Sequence, residues 1–355
     1  MNVHKLDMAE TDILGIQEIA AIAKVSRAAV ANWRTRFTDF PQPIANLAAG
    51  PVFRRDQVLD WLKRRKIRMA TVTSMINLKG GVAKTTTTVA VAQLLDAEFG
   101  KRVLVIDLDP QTNATMMLIG DRKWLELDKK GHTIAQLFRD ALDGEKNFDL
   151  DATLQKRVGA VQDSKRVDLI PSSLQLIDIQ DELATMNRGR FHAASPIEVL
   201  KRALRPVIEA DEYDFILIDC PPSLGLVTLN GLRISDYYLI PTIPDHLSTY
   251  GIPQIVERVK DFSDTIGHTI EPLGVIATKY REQSSVHRDQ LKVLRQEKHA
   301  PLFSTVVPEN TEIGGAAEFK QLNTLRQKWG YRGQYDIYRA LTKEILEKMQ
   351  VAAYV

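Results

Sequence analysis

From residue 69 onward, short apolar runs alternate with longer stretches of mixed polarity. The runs at 71–77, 102–107, 167–171, 215–219, 237–241, 273–278 and 302–307 predict strands. Most are continuously apolar, as expected of strands covered on both faces. Helical stretches between them predict an α/β fold with a mostly parallel, doubly wound sheet, whose ligands sit at the carboxyl ends of the strands.

The first 68 residues follow another pattern. Residues 13–36 read as helix, tight turn, helix, with Ile16, Ile19, Ala20 and Ala23 on one face of the first helix. Lys24-Val25 supply the turn, and Ser26 is placed to N-cap the second helix, which runs on through Trp33. Pro41 and Pro43 break the next stretch, residues 51–54 suit a small wing strand, and Asp56 is placed to N-cap a last helix over 57–65. A helix-turn-helix would seat its second helix in a major groove, with Arg27, Asn32 and Arg36 at base edges and Trp33 in the core. The module resembles winged helix-turn-helix domains of the MerR-like and phage-regulator type. Residues 1–68 are therefore expected to form a DNA-binding domain with a basic linker, and 69–355 a second domain.

The chemistry concentrates in Lys79-Gly-Gly-Val-Ala-Lys-Thr-Thr86, between the first apolar run and a helical stretch expected to be amphipathic over 89–99. A glycine-rich turn entering a helix aims backbone N–H groups and the positive end of a helix dipole at one spot, which suits phosphate. Gly80, Gly81, Val82 and Ala83 would form the cradle. Lys84 would reach the terminal phosphates, the Thr85 hydroxyl would ligate Mg²⁺, and Thr86 would complete the nucleotide-binding loop. The G-x-x-x-x-G-K-[ST] pattern fails at Leu78 and Ala83, and a second lysine, Lys79, opens the loop.

This form of the loop resembles the deviant Walker A motif of the ParA/MinD ATPases. The resemblance implies a P-loop NTPase fold, ATP as substrate, and Mg²⁺. It also implies that Lys79 reaches nucleotide held by a second subunit while Lys84 serves its own. Ala83 departs from the family, which usually has glycine there; a positive φ would cost alanine about 1 kcal/mol. Ile106-Asp-Leu-Asp-Pro-Gln111 matches the family's switch region, which maps the water-positioning and Mg²⁺-shell aspartate to Asp109. Asp107 is read as structural, or as a partner of the phosphate loop. Phe215-Ile-Leu-Ile-Asp219 reads as a Walker B strand, with Asp219 holding Mg²⁺ through water. Ser223 to Asn230 follow the ParA pattern, and Pro308 falls where the family places its adenine-contacting loop.

Composition narrows the partners. Of 355 residues, 44% are hydrophobic and 26% charged, ordinary for a globular protein. The single cysteine, Cys220, excludes a disulfide framework within one chain and the paired cysteines of nitrogenase-type iron proteins. The polar N-terminus is unlike a signal peptide, and a cytoplasmic, nucleoid-associated location is expected. The net charge of +2 divides into roughly +5 on residues 1–68 and roughly −3 on the rest, with an excess at 63–68, pointing to nucleic acid at one end. On the second domain, Lys279, Arg281, Arg288, Lys292, Lys320, Arg326, Lys328 and Arg332 are candidates for a phosphate-binding face. The C-terminal stretch lacks the basic face of a membrane-binding amphipathic helix, so no membrane partner is expected.

Together these features predict a partition ATPase that dimerises on ATP, binds DNA without sequence preference and hydrolyses ATP under stimulation by a ParB-like partner. Operator binding by the N-terminal module would add repression of its own operon. The alternatives are an ATP-gated transcriptional regulator without cargo, and a positioning ATPase for a protein complex.

Overall fold

The computed structural model describes residues 13–23, 30, 33–34, 37, 39–47, 50–65, 70–185, 196–209, 212–310 and 315–352. The chain divides into two compact units, Met1–Met69 with Ile208–Asp211, and Ala70–Val207 with Glu212–Val355.

The small unit carries a three-stranded antiparallel sheet in the order β1-β3-β2, from β1 (Ile13–Gly15), β2 (Ala45–Leu47) and β3 (Gly50–Arg54). It also holds α1 (Ile16–Ile22) and α2 (Arg55–Arg65). Two expectations need correction. Residues 13–15 are extended rather than helical, because Ile13 pairs with Arg54 and Gly15 with Val52. Gly15, at φ −85 and ψ 176, then starts the helix, its N–H donating to Glu18 Oε2 at 3.0 Å. The last helix begins at Arg55, which places Asp56 in its first turn, where it accepts from Gln57 N–H at 2.8 Å. The strand expected over 51–54 is present as β3. Trp33 is buried, 5.7 Å ring to ring from Trp61, and Phe40 packs edge-on to Trp61 at 4.6 Å. Arg27, Asn32 and Arg36, the turn at 24–25 and Ser26 lie outside the described residues, as do the side chains of 63–68.

The large unit is built on a six-stranded sheet in the order β6-β5-β7-β4-β8-β9, every pair parallel. Its strands are β4 (Thr71–Met75), β5 (Val103–Asp107), β6 (Val167–Ile170), β7 (Phe215–Asp219), β8 (Tyr237–Thr242) and β9 (Glu271–Ala277). In β5 and β7 every residue is buried, which explains their unbroken apolar runs. The run at 302–307 does not become a strand. Leu302 makes one parallel bridge to Val275, and Pro301 and Pro308 at its two ends have no N–H to extend a ladder.

Helix α3 (Lys84–Ala97) follows the phosphate loop and is buried continuously from Thr87 to Asp96, not amphipathic as the sequence suggested. The sheet lies on one side. On the other, α13 (Gln334–Ala352) packs Tyr338, Leu341, Ile345 and Met349 into the same core, a 3-to-4 residue spacing that keeps one face inward. Its apolar side is thus occupied by the body. Helix α4 (Asn113–Lys129) follows the Asp107–Asp109 segment and breaks at Gly120, φ 76 and ψ 164. The short α5 (Ile134–Asp143) and α6 (Leu150–Thr153) lead to β6, and α7 (Leu176–Thr185) and α8 (Val199–Glu209) lead on to β7. Then α9 (Leu226–Arg233) precedes β8, α10 (His246–Ile266) joins β8 to β9, and α11 (Ser285–Leu294) and α12 (Leu325–Trp329) complete the unit. No helix of the described residues is long and apolar enough to cross a membrane.

Candidate nucleotide site

The loop between β4 and α3 lies at the carboxyl end of the central strands. Its base is tied down by Asn77, whose Nδ2 donates to Pro241 O at 2.8 Å and Thr242 Oγ1 at 3.1 Å, while its Oδ1 accepts from Lys79 N–H at 2.9 Å. The Thr278 hydroxyl, just past β9, donates to Val82 O at 3.0 Å. Gly81 stands at φ +74, and a Cβ on either Gly80 or Gly81 would meet open space. That opening fits close approach of a ligand to backbone N–H groups. Ala83 stands at φ 64 and ψ 29, so the strain foreseen for alanine here is present.

Lys84 is buried, with Nζ 3.3 Å from Lys79 O and 3.4 Å from Asn77 O. Burial pushes its pKa down, while the charges of Asp219 and Asp109 work against that shift. Asp219, ending β7, accepts from Thr85 Oγ1 at 2.6 Å and from Thr88 Oγ1 at 3.2 Å. Its carboxyl is fully buried, and burial raises its pKa. Asp109 is buried too; burial raises its pKa, opposed by the Gln111 N–H, which it accepts at 2.9 Å, and by Lys84. The structure therefore brings Lys84, Thr85, Asp109 and Asp219 close together at the phosphate loop. Oxygen donors from a hydroxyl and carboxylates are the set that suits Mg²⁺, so these residues fit that ion.

The hydrogen bonds of Asp107 run to its own segment rather than to the phosphate loop: it accepts from the Thr115 hydroxyl at 2.7 Å, Thr115 N–H at 2.9 Å and Asp109 N–H at 3.1 Å. Burial, then the charge of Asp219, hold its pKa well above the usual carboxylate range. Pro308 bridges Tyr280, two residues beyond the Thr278 that holds the loop.

Lys79 is turned elsewhere. Its Nζ donates to Asp245 Oδ2 at 2.6 Å and to Ser248 Oγ at 3.2 Å. Asp245 is also the N-cap of α10, its Oδ1 accepting from Ser248 N–H at 2.8 Å. Burial works against ionisation of Asp245, but the hydrogen bond from Lys79 and the capping contacts hold its pKa below the usual range. The sequence reading did not single out Asn77, Asp245 or Thr278. Asp245 alone carried a signal, an acidic residue between an apolar strand and a helical stretch.

Among the candidate basic residues of this unit, Lys328 is buried and cannot line a surface for DNA. Arg281 pairs with Glu309, Lys292 with Asp289, Lys320 with Glu318 and Arg326 with Asp336.

A family profile described as "AAA domain" matches residues 70–271. The chain is 32% identical over 250 residues to the sporulation initiation inhibitor protein Soj of Bacillus subtilis, covering 70% of this chain and 88% of that one. It is 28% identical over 249 residues to the chromosome partitioning protein ParA of Caulobacter vibrioides, covering 70% and 84%. Among solved structures, it is similar to a cobyrinic acid a,c-diamide synthase from Mycobacterium smegmatis with bound ATP analog and magnesium. The TM-score is 0.58 at 27% identity, over 80% of this chain and 97% of that one.

Proposed function

Because the chain belongs to the ParA/Soj family of P-loop ATPases, we propose that it is an ATP-hydrolysing DNA-partition switch that dimerises around nucleotide. The observation that carries this reading is the opposite orientation of two lysines on one loop. Lys84 turns inward among the carboxylates, whereas Lys79 turns outward to the N-terminus of α10. Two lysines so placed do not duplicate one another. Lys84 serves the phosphates of its own chain, and Lys79 is available to those of a second.

ATP would lie with its phosphates on the N–H groups of Gly80 to Thr86 and its base toward Pro308. Thr85, and Asp219 through water, would hold Mg²⁺, which would supply charge neutralisation at the phosphates. Asp109 positions the attacking water, and Lys84 and Lys79 stabilise the negative charge on either side of the interface. Loss of the γ-phosphate removes a contact shared by two subunits, so hydrolysis dissolves the dimer. Lys79 must leave Asp245 and Ser248 to take part.

The dimer binds DNA through its basic surface without reading sequence, and a ParB-like protein accelerates hydrolysis. Residues 1–68 are a winged helix-turn-helix whose Arg27, Asn32 and Arg36 read an operator, and residues 69–355 are the ATPase. In the cell the ATP form would be bound to the nucleoid. The test is phosphate release with light scattering on the full chain. Lys84→Ala abolishes turnover. Lys79→Ala retains nucleotide binding but forms no ATP dimer, and Asp109→Ala accumulates one. Normal turnover in Lys84→Ala, or a normal ATP dimer in Lys79→Ala, would refute the assignment.

A further inference from the structure

The main chain of Asp109 is gripped on both sides by a polar network closed to solvent. Its N–H donates to Asp107 Oδ1 at 3.1 Å, and its carbonyl accepts the Ser172 hydroxyl at 2.8 Å. Thr115 ties the two grips together. Its hydroxyl donates to Asp107 Oδ2 at 2.7 Å and accepts from Ser172 N–H at 3.0 Å. Asp107, Thr115 and Ser172 are each 0% exposed. Ser172 is itself fixed, its carbonyl accepting from Trp124 Nε1 at 3.1 Å.

Satisfying the Asp109 carbonyl does not require this serine. Thr112 N–H already donates to it at 2.9 Å, closing the turn that follows β5. An alanine at 172 would therefore leave no orphaned acceptor there. What the hydroxyl adds is a restraint from the neighbouring strand, since Ser172 lies just past β6 and β6 pairs with β5. The turn so restrained is strained: Thr112 sits at φ 56 and ψ 22, a left-handed conformation costly for threonine. Strained backbone persists only where its surroundings over-determine it.

We infer that Ser172 is a positioning residue for hydrolysis: its hydroxyl, with Thr115, locks the Asp109 main chain so that the carboxylate faces the phosphate-loop pocket. This rests on the reading of Asp109 as the residue that positions water. Ser172 is fully buried and holds the main chain of Asp109, not its carboxylate. It acts through Asp109, so its loss is felt in the chemical step and not in binding.

The experiment is steady-state ATP turnover by the full chain with Mg²⁺, paired with affinity for a non-hydrolysable ATP analogue. In Ser172→Ala, kcat falls roughly tenfold, because an Asp109 no longer held from the neighbouring strand positions the water less well, while KM and analogue affinity stay within about twofold. Ser172→Thr, which keeps the hydroxyl, recovers most of the turnover. An unchanged kcat in folded Ser172→Ala overturns the inference. So does a parallel loss of analogue affinity, the mark of general damage to the site. If Ser172→Ala does not fold, Ser172→Cys, with its weak donor, carries the same test. Asp109→Ala is measured alongside: undiminished turnover there overturns the reading of Asp109 itself, and is distinguished by affecting that variant rather than Ser172→Ala.

Discussion

Lys79 and Asp245 form an ion pair across 166 residues of sequence, Nζ to Oδ2 at 2.6 Å, with the side chains 42% and 27% exposed. At that exposure the pair contributes at most about 1 kcal/mol to stability. Its consequence is positional, because it holds within one chain the lysine proposed to serve another. Asp245→Asn keeps an N-cap for α10 while removing the charge. The expected result is a stability change below about 1 kcal/mol by denaturant melt, with a larger dimer fraction at a given ATP concentration by analytical ultracentrifugation. An unchanged dimer fraction would mean that the contact does not compete with the partner.

Ala83 should be a measurable strain point. At φ 64 it pays the left-handed penalty that glycine avoids. Glycine also adds freedom to the unfolded chain, which offsets part of the gain. Ala83→Gly is therefore expected to stabilise the protein by about 0.5–1 kcal/mol. Urea denaturation of the two proteins checks it; destabilisation would show that the loop conformation differs.

Lys328 gives a pH prediction. It is 7% exposed, Nζ 3.4 Å from Met117 O, and burial lowers its pKa to about 8 from 10.5. Below about pH 8 it is charged in both the folded and unfolded states, so it adds no slope. Between about 8 and 10.5 the unfolded chain holds a proton that the folded one has released, so folding stability rises with pH. Relative to Lys328→Met, the wild type should gain up to roughly 3 kcal/mol across that window. Denaturation at pH 7, 9 and 10.5 measures it, and parallel stability curves for the two proteins would contradict it.

The nucleotide site was readable from the chain wherever its chemistry is local. Lys84 and Thr85 stand together on one loop, and Asp109 and Asp219 each follow an apolar strand, so adjacent parallel strands deliver them to one edge of the sheet. Contacts between distant segments left no such trace. Asp245 meets Lys79, and Ser172 meets Asp109, only because strand order β6-β5-β7-β4-β8 makes neighbours of distant segments. Residues 13–15 carried too short a pattern to reveal a strand that exists by pairing with β3. The run at 302–307 had the apolar residues of a strand but flanking prolines without donors. The sequence of helix α3 reads as amphipathic because nothing local announces that α13 covers its outer side.

Whether ATP gates DNA binding is measured directly by binding of the full chain to a random-sequence duplex with ATP, ADP or no nucleotide, alongside Lys84→Ala. A gated protein shows salt-sensitive binding that appears with ATP, weakens with ADP and is absent from the variant. Binding of equal strength in all three nucleotide states, or unaltered in Lys84→Ala, would contradict gating.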